Sequence, residues 1–289
     1  MAPRPRADGA DRALTRSAQD APRAREASRL RVATYNVHRC RGLDGRTRPS
    51  RIARVLREVG ADVVALQEVL SVTGGRPEED QPRYLADELG LEMQFGAVRN
   101  QRGGQYGNVV LSALPLGPGH LYDLSVAGRE ERGCLRVDVR LGERTSLHVF
   151  NVHLGTALSE RRKQGPRLLD AVIRGSAELV GPRVLLGDFN DWGAVLASLL
   201  AAHFRSVDLR THLRRTRTYP GLLPFLHLDH IYYDEDLELT TLVLHRSPTA
   251  LLASDHLPLV ADFRVLPRAN GARPHVADGS APASGTTAS

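Results

Sequence analysis

The strongest constraint on this chain is a set of short apolar runs, each too brief for a buried helix and each stopped by a polar residue. Asp62-Val63-Val64-Ala65-Leu66-Gln67 is the clearest. A nearly continuous apolar stretch of that length marks a strand covered on both faces. Leu30 to Val37, 145–152 and Val184-Leu185-Leu186-Gly187 also read as strands, with further strands at 92–98, 107–112, 132–141, 228–233, 237–244 and 258–264. Between them lies helical spacing. Ile52, Val55, Leu56 and Val59 share one face of a helix over 50–59, with Ser50 as its N-cap and Gly60 as its stop. Helices are also expected at 83–89, 159–179 and 193–202, the third of these four broken or kinked near Gly165-Pro166. Helix–strand alternation in both halves, with hairpins between, predicts an α/β fold of two mixed sheets packed together with helices outside. No composition shift marks an internal boundary, so 30–265 reads as one domain.

The charge is informative through its location. The chain of 289 residues has a formal net charge of +6, yet residues 1–31 hold eight Arg against four acids and 264–289 hold three Arg against one. What remains between 32 and 263 is 28 basic and 28 acidic residues. The basicity belongs to the ends, so bulk charge gives no support for nucleic-acid binding by the body. Residues 1–29 and 266–289 read as a disordered leader and tail. The leader has no apolar stretch of the secretory kind, and no run approaches the roughly 18–20 apolar residues that span a bilayer. Cys40 and Cys134 stand in no metal-binding or disulfide pattern. A cytoplasmic protein with two reduced thiols is expected.

Polar residues recur where the apolar runs stop. Asn36 closes the first, Gln67-Glu68 the second, and His153 follows 149–152. Asp188-Phe189-Asn190 follows 184–187, Asp229-His230 opens the strand at 231, and Ser254-Asp255-His256 precedes another. A strand end presents a side chain to a cleft while the sheet holds it rigid. Singly, each has an ordinary reading: Asn36 as a turn amide, Glu68 as a solvated terminus, Asp188 and Asn190 as helix caps, His153 and His256 as hydrogen-bonded structural histidines. Six such placements fit one shared site better than six coincidences.

The ordered series Thr34-Tyr35-Asn36, Leu66-Gln67-Glu68, Gly107-Asn108-Val109-Val110-Leu111-Ser112, Asn151-Val152-His153-Leu154, Gly187-Asp188-Phe189-Asn190, Leu228-Asp229-His230-Ile231 and Ser254-Asp255-His256 resembles the endonuclease/exonuclease/phosphatase superfamily, also called deoxyribonuclease-I-like. The resemblance covers about residues 30–265. It implies a four-layered α/β/β/α sandwich and an enzyme using Mg2+, or Mn2+, to hydrolyse a phosphoester. By the same resemblance Glu68 is the principal metal ligand, with Asn36 beside it and Asp255 completing the acidic surroundings. Such hard oxygens suit Mg2+. Asp229 orients His256, Asp188 and Asn190 position water and phosphate, and His153 donates to a non-bridging oxygen.

One departure is specific. Abasic-site endonucleases of the superfamily carry an Asp two residues after the first Asn, and here that residue is His38. His38, Arg39 and Arg41 form either a contact for a headgroup or phosphate or a solvated basic loop. Arg132 in Glu131-Arg132-Gly133 resembles a family arginine that anchors site carboxylates, and reads here as part of a structural ion pair. Arg205, Arg210, Arg214, Arg215 and Arg217 make a basic stretch that reads as a solvated face. The expected function is a Mg2+-dependent phosphodiesterase or phosphatase acting on a phospholipid headgroup, nucleotide or nucleic acid. A DNA or RNA nuclease and a catalytically inactive binding module of the same fold are the alternatives.

Overall fold

The structure is a computed structural model that describes residues 29–143, 145–173, 179–191, 196–206 and 228–267. The leader and tail fall almost wholly outside these residues, as do four of the five arginines of the 205–217 stretch. Among the described residues twelve strands appear: β1 (Arg29–Asn36), β2 (Val63–Ser71), β3 (Glu92–Gln101), β4 (Gly104–Ser112), β5 (Leu116–Asp123), β6 (Gly133–Arg140), β7 (Ser146–His153), β8 (Arg183–Asp188), β9 (Arg205–Ser206), β10 (Asp229–Tyr233), β11 (Leu237–Leu244) and β12 (Leu259–Val265). The helices are α1 (Pro49–Val59), α2 (Gln81–Leu89), α3 (Leu158–Ile173), α4 (Ala197–Ala201) and α5 (Pro248–Ala253).

The strands form two six-stranded sheets, β11-β12-β1-β2-β4-β3 and β5-β6-β7-β8-β10-β9. Both are mixed: β1–β2 and β7–β8 are parallel and the remaining pairs antiparallel. Val32, Val63, Val110, Val137, Val149 and Leu186 belong to the core between the sheets. Phe150, Leu185 and Tyr232 turn the other way and pack under Leu168 and Val172 of α3 and Leu200 of α4. The expected α/β sandwich is therefore present.

Local chemistry explains where the elements differ from expectation. The N-cap of α1 is Arg48, not Ser50, because Pro49 takes the first helical position. Its fixed φ suits that place and its missing N–H costs nothing there. Gly60, at φ 58, ends the helix as expected. Leu116-Gly117-Pro118-Gly119 hid β5, an edge strand with a bulge, where proline and glycine are tolerated. The helix α3 runs on through Gly165-Pro166. A side chain at Gly165 would lie 2.4 Å from Leu196, so the glycine serves close packing against the α4 segment. The short α5 was unforeseen; the Ser247 hydroxyl caps it by accepting from Ala250 N at 3.1 Å.

Buried amides link the sheets. Gln67 Nε2 donates to Asn151 Oδ1 at 2.8 Å, while Asn151 Nδ2 donates to the Leu66 carbonyl at 2.9 Å and the Val109 carbonyl at 2.8 Å. Asn108 Nδ2 donates to the Gly133 carbonyl at 3.1 Å. A buried amide must find such partners, and these fix the register of one sheet on the other beside the strand ends.

Candidate active site

Three site residues line up across neighbouring strands, because His153 pairs with Asp188 between β7 and β8 and Asp188 pairs with Asp229 between β8 and β10. The opposite sheet supplies Asn36, at the end of β1, and Glu68. Glu68 does not close its strand. β2 continues to Ser71, and the register shifts between Leu66 and Val69, leaving Glu68 in a bulge at φ 59. A bulge re-aims a side chain within a strand. Alternation of apolar residues does not reveal one.

Asn36 joins the two halves. Its Nδ2 donates to Glu68 Oε1 at 3.1 Å and to Asp188 Oδ2 at 3.0 Å. Its Oδ1 accepts from the backbone N–H of His38 at 3.0 Å, which fixes the sense of the amide. Asp188 ends β8 after Gly187, where the backbone is at φ 147 and a side chain would lie 1.9 Å from the Val152 carbonyl. Asp188 Oδ1 accepts from Asn190 N at 3.0 Å, and Asn190 Nδ2 donates to the Leu154 carbonyl at 2.9 Å. Phe189, between them, is buried against Tyr232.

His256 Nδ1 lies 2.9 Å from Asp229 Oδ2, and its Nε2 lies 3.6 Å from Asp188 Oδ2. Ligating atoms of Asp188, Asp229 and His256 all lie within 4.8 Å of one another. Burial pushes the Asp188 carboxyl up to about 7, with Asp229 adding to the rise and His256 opposing it. Burial lowers the His256 imidazole, but Asp229, Asp188 and Asp255 outweigh it and push it up to about 10. Asp229 Oδ1 is buried with no hydrogen-bond partner among the described residues.

His153 behaves differently. Burial, then the Arg132 guanidinium and His256, hold its imidazole well below the usual range, so it is neutral. Arg132 Nη1 lies 3.3 Å from His153 Nδ1. A guanidinium only donates, so Nδ1 accepts and the ring proton sits on Nε2, 3.7 Å from Asp188 Oδ2. The expected Arg132 ion pair is present, to Glu130 at 2.5 Å, and Glu130 in turn pairs with Arg99. What was missed is the contact that orients His153. Nothing in Glu131-Arg132-Gly133 announces it, since Arg132 and His153 meet only when β6 and β7 pair.

Asp255 does not enter the buried group. Its Oδ1 accepts from Ser254 Oγ at 3.2 Å and lies 3.4 Å from His38 Nδ1. Arg39, between His38 and Cys40, is held by an unforeseen residue: Gln81 Nε2 donates to the Arg39 carbonyl at 2.9 Å. Among the described residues the non-glycine residues at positive φ are His38, Arg39, Cys40, Glu68, Asn190 and Arg102. All but Arg102 border this cluster. Such conformations cost roughly 1–3 kcal/mol each, so backbone strain is concentrated here. A cavity of about 310 Å3 at the β3–β4 hairpin is lined by Ser71, Thr73, Asn100, Gly103, Gly104 and Gln105, none of them a strand-end residue singled out above.

A profile of the endonuclease/exonuclease/phosphatase family matches residues 33–256. The protein YbhP of Escherichia coli (strain K12) is 31% identical over 257 residues, covering 82% of this chain and 96% of that relative. The crystal structure of an endonuclease/exonuclease/phosphatase from Beutenbergia cavernae DSM 12333 is 26% identical, with a TM-score of 0.67 over 82% of this chain and 72% of that one. The human Nocturnin catalytic domain, solved with bound sulfate, shares the fold at 18% identity, with a TM-score of 0.64 over 82% of this chain and 94% of that one.

Proposed function

The chain belongs to the endonuclease/exonuclease/phosphatase family, and we propose that it is a Mg2+-dependent phosphodiesterase or phosphatase. Members of such a family act on phosphoesters, and the observation that carries the finer reading is the buried Asp188, Asp229 and His256 group bridged by Asn36 to Glu68. The donor set fits a hard divalent cation. It joins the carboxylates of Asp188 and Asp229 to the His256 imidazole, and Asp229 Oδ1 is a buried acceptor with no hydrogen-bond donor among the described residues. Glu68 would hold the ion, with Asn36 steadying its carboxylate and Asp255 adding charge at the edge; Mn2+ would serve in the same place. When bound, the ion supplies electrophilic stabilisation of the phosphoryl oxygens.

The protein's own groups have separable tasks. Asp229 fixes the ring of His256, whose Nε2 faces Asp188 and reaches the phosphoryl group. Asp188 and Asn190, locked to each other by a hydrogen bond, hold the attacking water and the phosphate. Neutral His153, oriented by Arg132, offers Nε2–H to a non-bridging oxygen as charge develops on it. The substrate is a phosphoester on a phospholipid headgroup, a nucleotide or a nucleic acid. No helix of the described residues is long and apolar enough to cross a membrane, and the buried free thiols Cys40 and Cys134 support a cytoplasmic location.

Glu68→Gln tests the metal assignment, since it keeps the shape of the side chain and removes its charge. Activity on bis-p-nitrophenyl phosphate should fall, with the Mg2+ concentration for half-maximal rate raised at least tenfold. An unchanged Mg2+ requirement would contradict the assignment of Glu68. Running plasmid DNA, abasic duplex, sphingomyelin, phosphatidylinositol phosphates and nucleotides in parallel separates the nuclease reading from the others.

A further inference from the structure

We propose that the left-handed turn His38–Cys40 is the substrate-selecting edge of this site, and that the His38 imidazole contacts the organic part of the substrate beyond the scissile phosphate. The proposal rests on the phosphoester reading above and adds the residue that discriminates among phosphoesters.

The turn is held from several sides. Cys40 N donates to the Val37 carbonyl at 2.8 Å and Arg41 N to the His38 carbonyl at 3.0 Å. Arg48 N donates to the Cys40 carbonyl at 2.8 Å, and the Cys40 side chain is buried in the core. Gln81 clamps the Arg39 carbonyl and also accepts from Leu70 N at 3.0 Å, tying the turn to β2 just past the Glu68 bulge. Three successive non-glycine residues at φ 46, 54 and 55 are kept in place by this cage. A connection alone would be made more cheaply with glycine or asparagine. Strain that its surroundings over-determine points to a use for the side chains it presents.

The use is visible in what the turn delivers. The His38 backbone N–H fixes the Asn36 amide, and the His38 ring lies beside Asp255. The His38 and Asp255 side chains are 31% and 25% exposed, whereas those of Asp188, Asp229 and His256 are 6% exposed or less. An accessible His–Asp pair therefore stands at the mouth of a buried one, joined to it by the Asp255–His256 peptide bond. On this proposal, the ester substituent of a phosphate held by the inner group lies beside the accessible outer pair. With Nδ1 turned to Asp255, the rest of the His38 ring is free to meet a hydroxyl-bearing alcohol such as a nucleoside or a glycerol.

His38→Gly tests this cleanly. Glycine suits the positive φ, and the backbone N–H to Asn36 survives, so only the imidazole is lost. In full-length protein with Mg2+, calorimetric titration would compare inorganic phosphate, adenosine 5′-monophosphate and glycerol 3-phosphate. Wild type should bind one of the two esters more tightly than phosphate. His38→Gly should weaken that ester at least tenfold, leave phosphate within twofold, and keep Tm within a few degrees. Equal loss for phosphate and esters, no loss for either, or no ester preference in wild type would overturn the proposal. Failure of wild type to bind phosphate at all would instead sink the phosphoester reading beneath it.

Discussion

Two neighbours in the chain, Asp255 and His256, face two different partners. His256 turns inward to Asp229 at 2.9 Å in a fully enclosed pair. Asp255 turns outward to His38 at 3.4 Å where both side chains meet solvent. The chemistry is the same, a carboxylate beside an imidazole, yet burial separates the tasks. Inside, with water excluded and Asp188 close by, charge interactions are strong and orientation is fixed. Outside, solvent weakens the interaction, and the pair is suited to contact rather than to chemistry.

The comparison can be broken by matched substitutions. Asp229→Asn removes the inner carboxylate and should lower kcat by roughly 10²–10⁴-fold, the range for loss of an oriented acid–base partner. Asp255→Asn removes the outer one and should lower kcat on bis-p-nitrophenyl phosphate by less than about tenfold, within the scale of an exposed polar contact. If the two variants lost kcat equally, the division of labour would be wrong. Steady-state kinetics on both proteins decide it.

A third carboxylate, far from both pairs in role, sharpens the contrast through stability. Asp262 on β12 pairs with Arg31 on β1 at 2.7 Å, and the hydrogen bond from Arg31, with a further one from Arg29, holds its carboxyl below the usual range. A lowered folded pKa stabilises above the unfolded value of about 3.9 and is lost as pH falls toward the folded one. Thermal melts should therefore show wild type losing more Tm than Asp262→Asn between about pH 5 and pH 3. The effect should be small, because both arginines are partly exposed. Parallel Tm curves would contradict the pairing.

Much of this was legible in the sequence because strand ends are marked twice, by the end of an apolar run and by a polar residue. His153, Asp188 and Asp229 were singled out that way, and pairing of β7, β8 and β10 brings them into line. The features that escaped lack such a mark. Glu68 was read as the end of a strand because a bulge leaves no trace in alternation. Gln81 and Arg132 act on partners far along the chain, Arg39 and His153. The His38 turn was visible only as a departure from a motif, since its left-handed backbone is a property of the cage around it and not of its residues. The edge strand β5 was lost to its own glycines and proline.

The central claim is that the buried Asp229–His256 pair serves metal-dependent phosphoester hydrolysis. The most direct measurement is turnover of bis-p-nitrophenyl phosphate by the full chain and by His256→Ala, each with Mg2+, with EDTA, and with Mg2+ restored. Wild type should turn over, stop with EDTA and recover with Mg2+, while His256→Ala stays near background in all three conditions with its fold intact by circular dichroism. Turnover that ignores EDTA, or that survives undiminished in His256→Ala, would contradict the account.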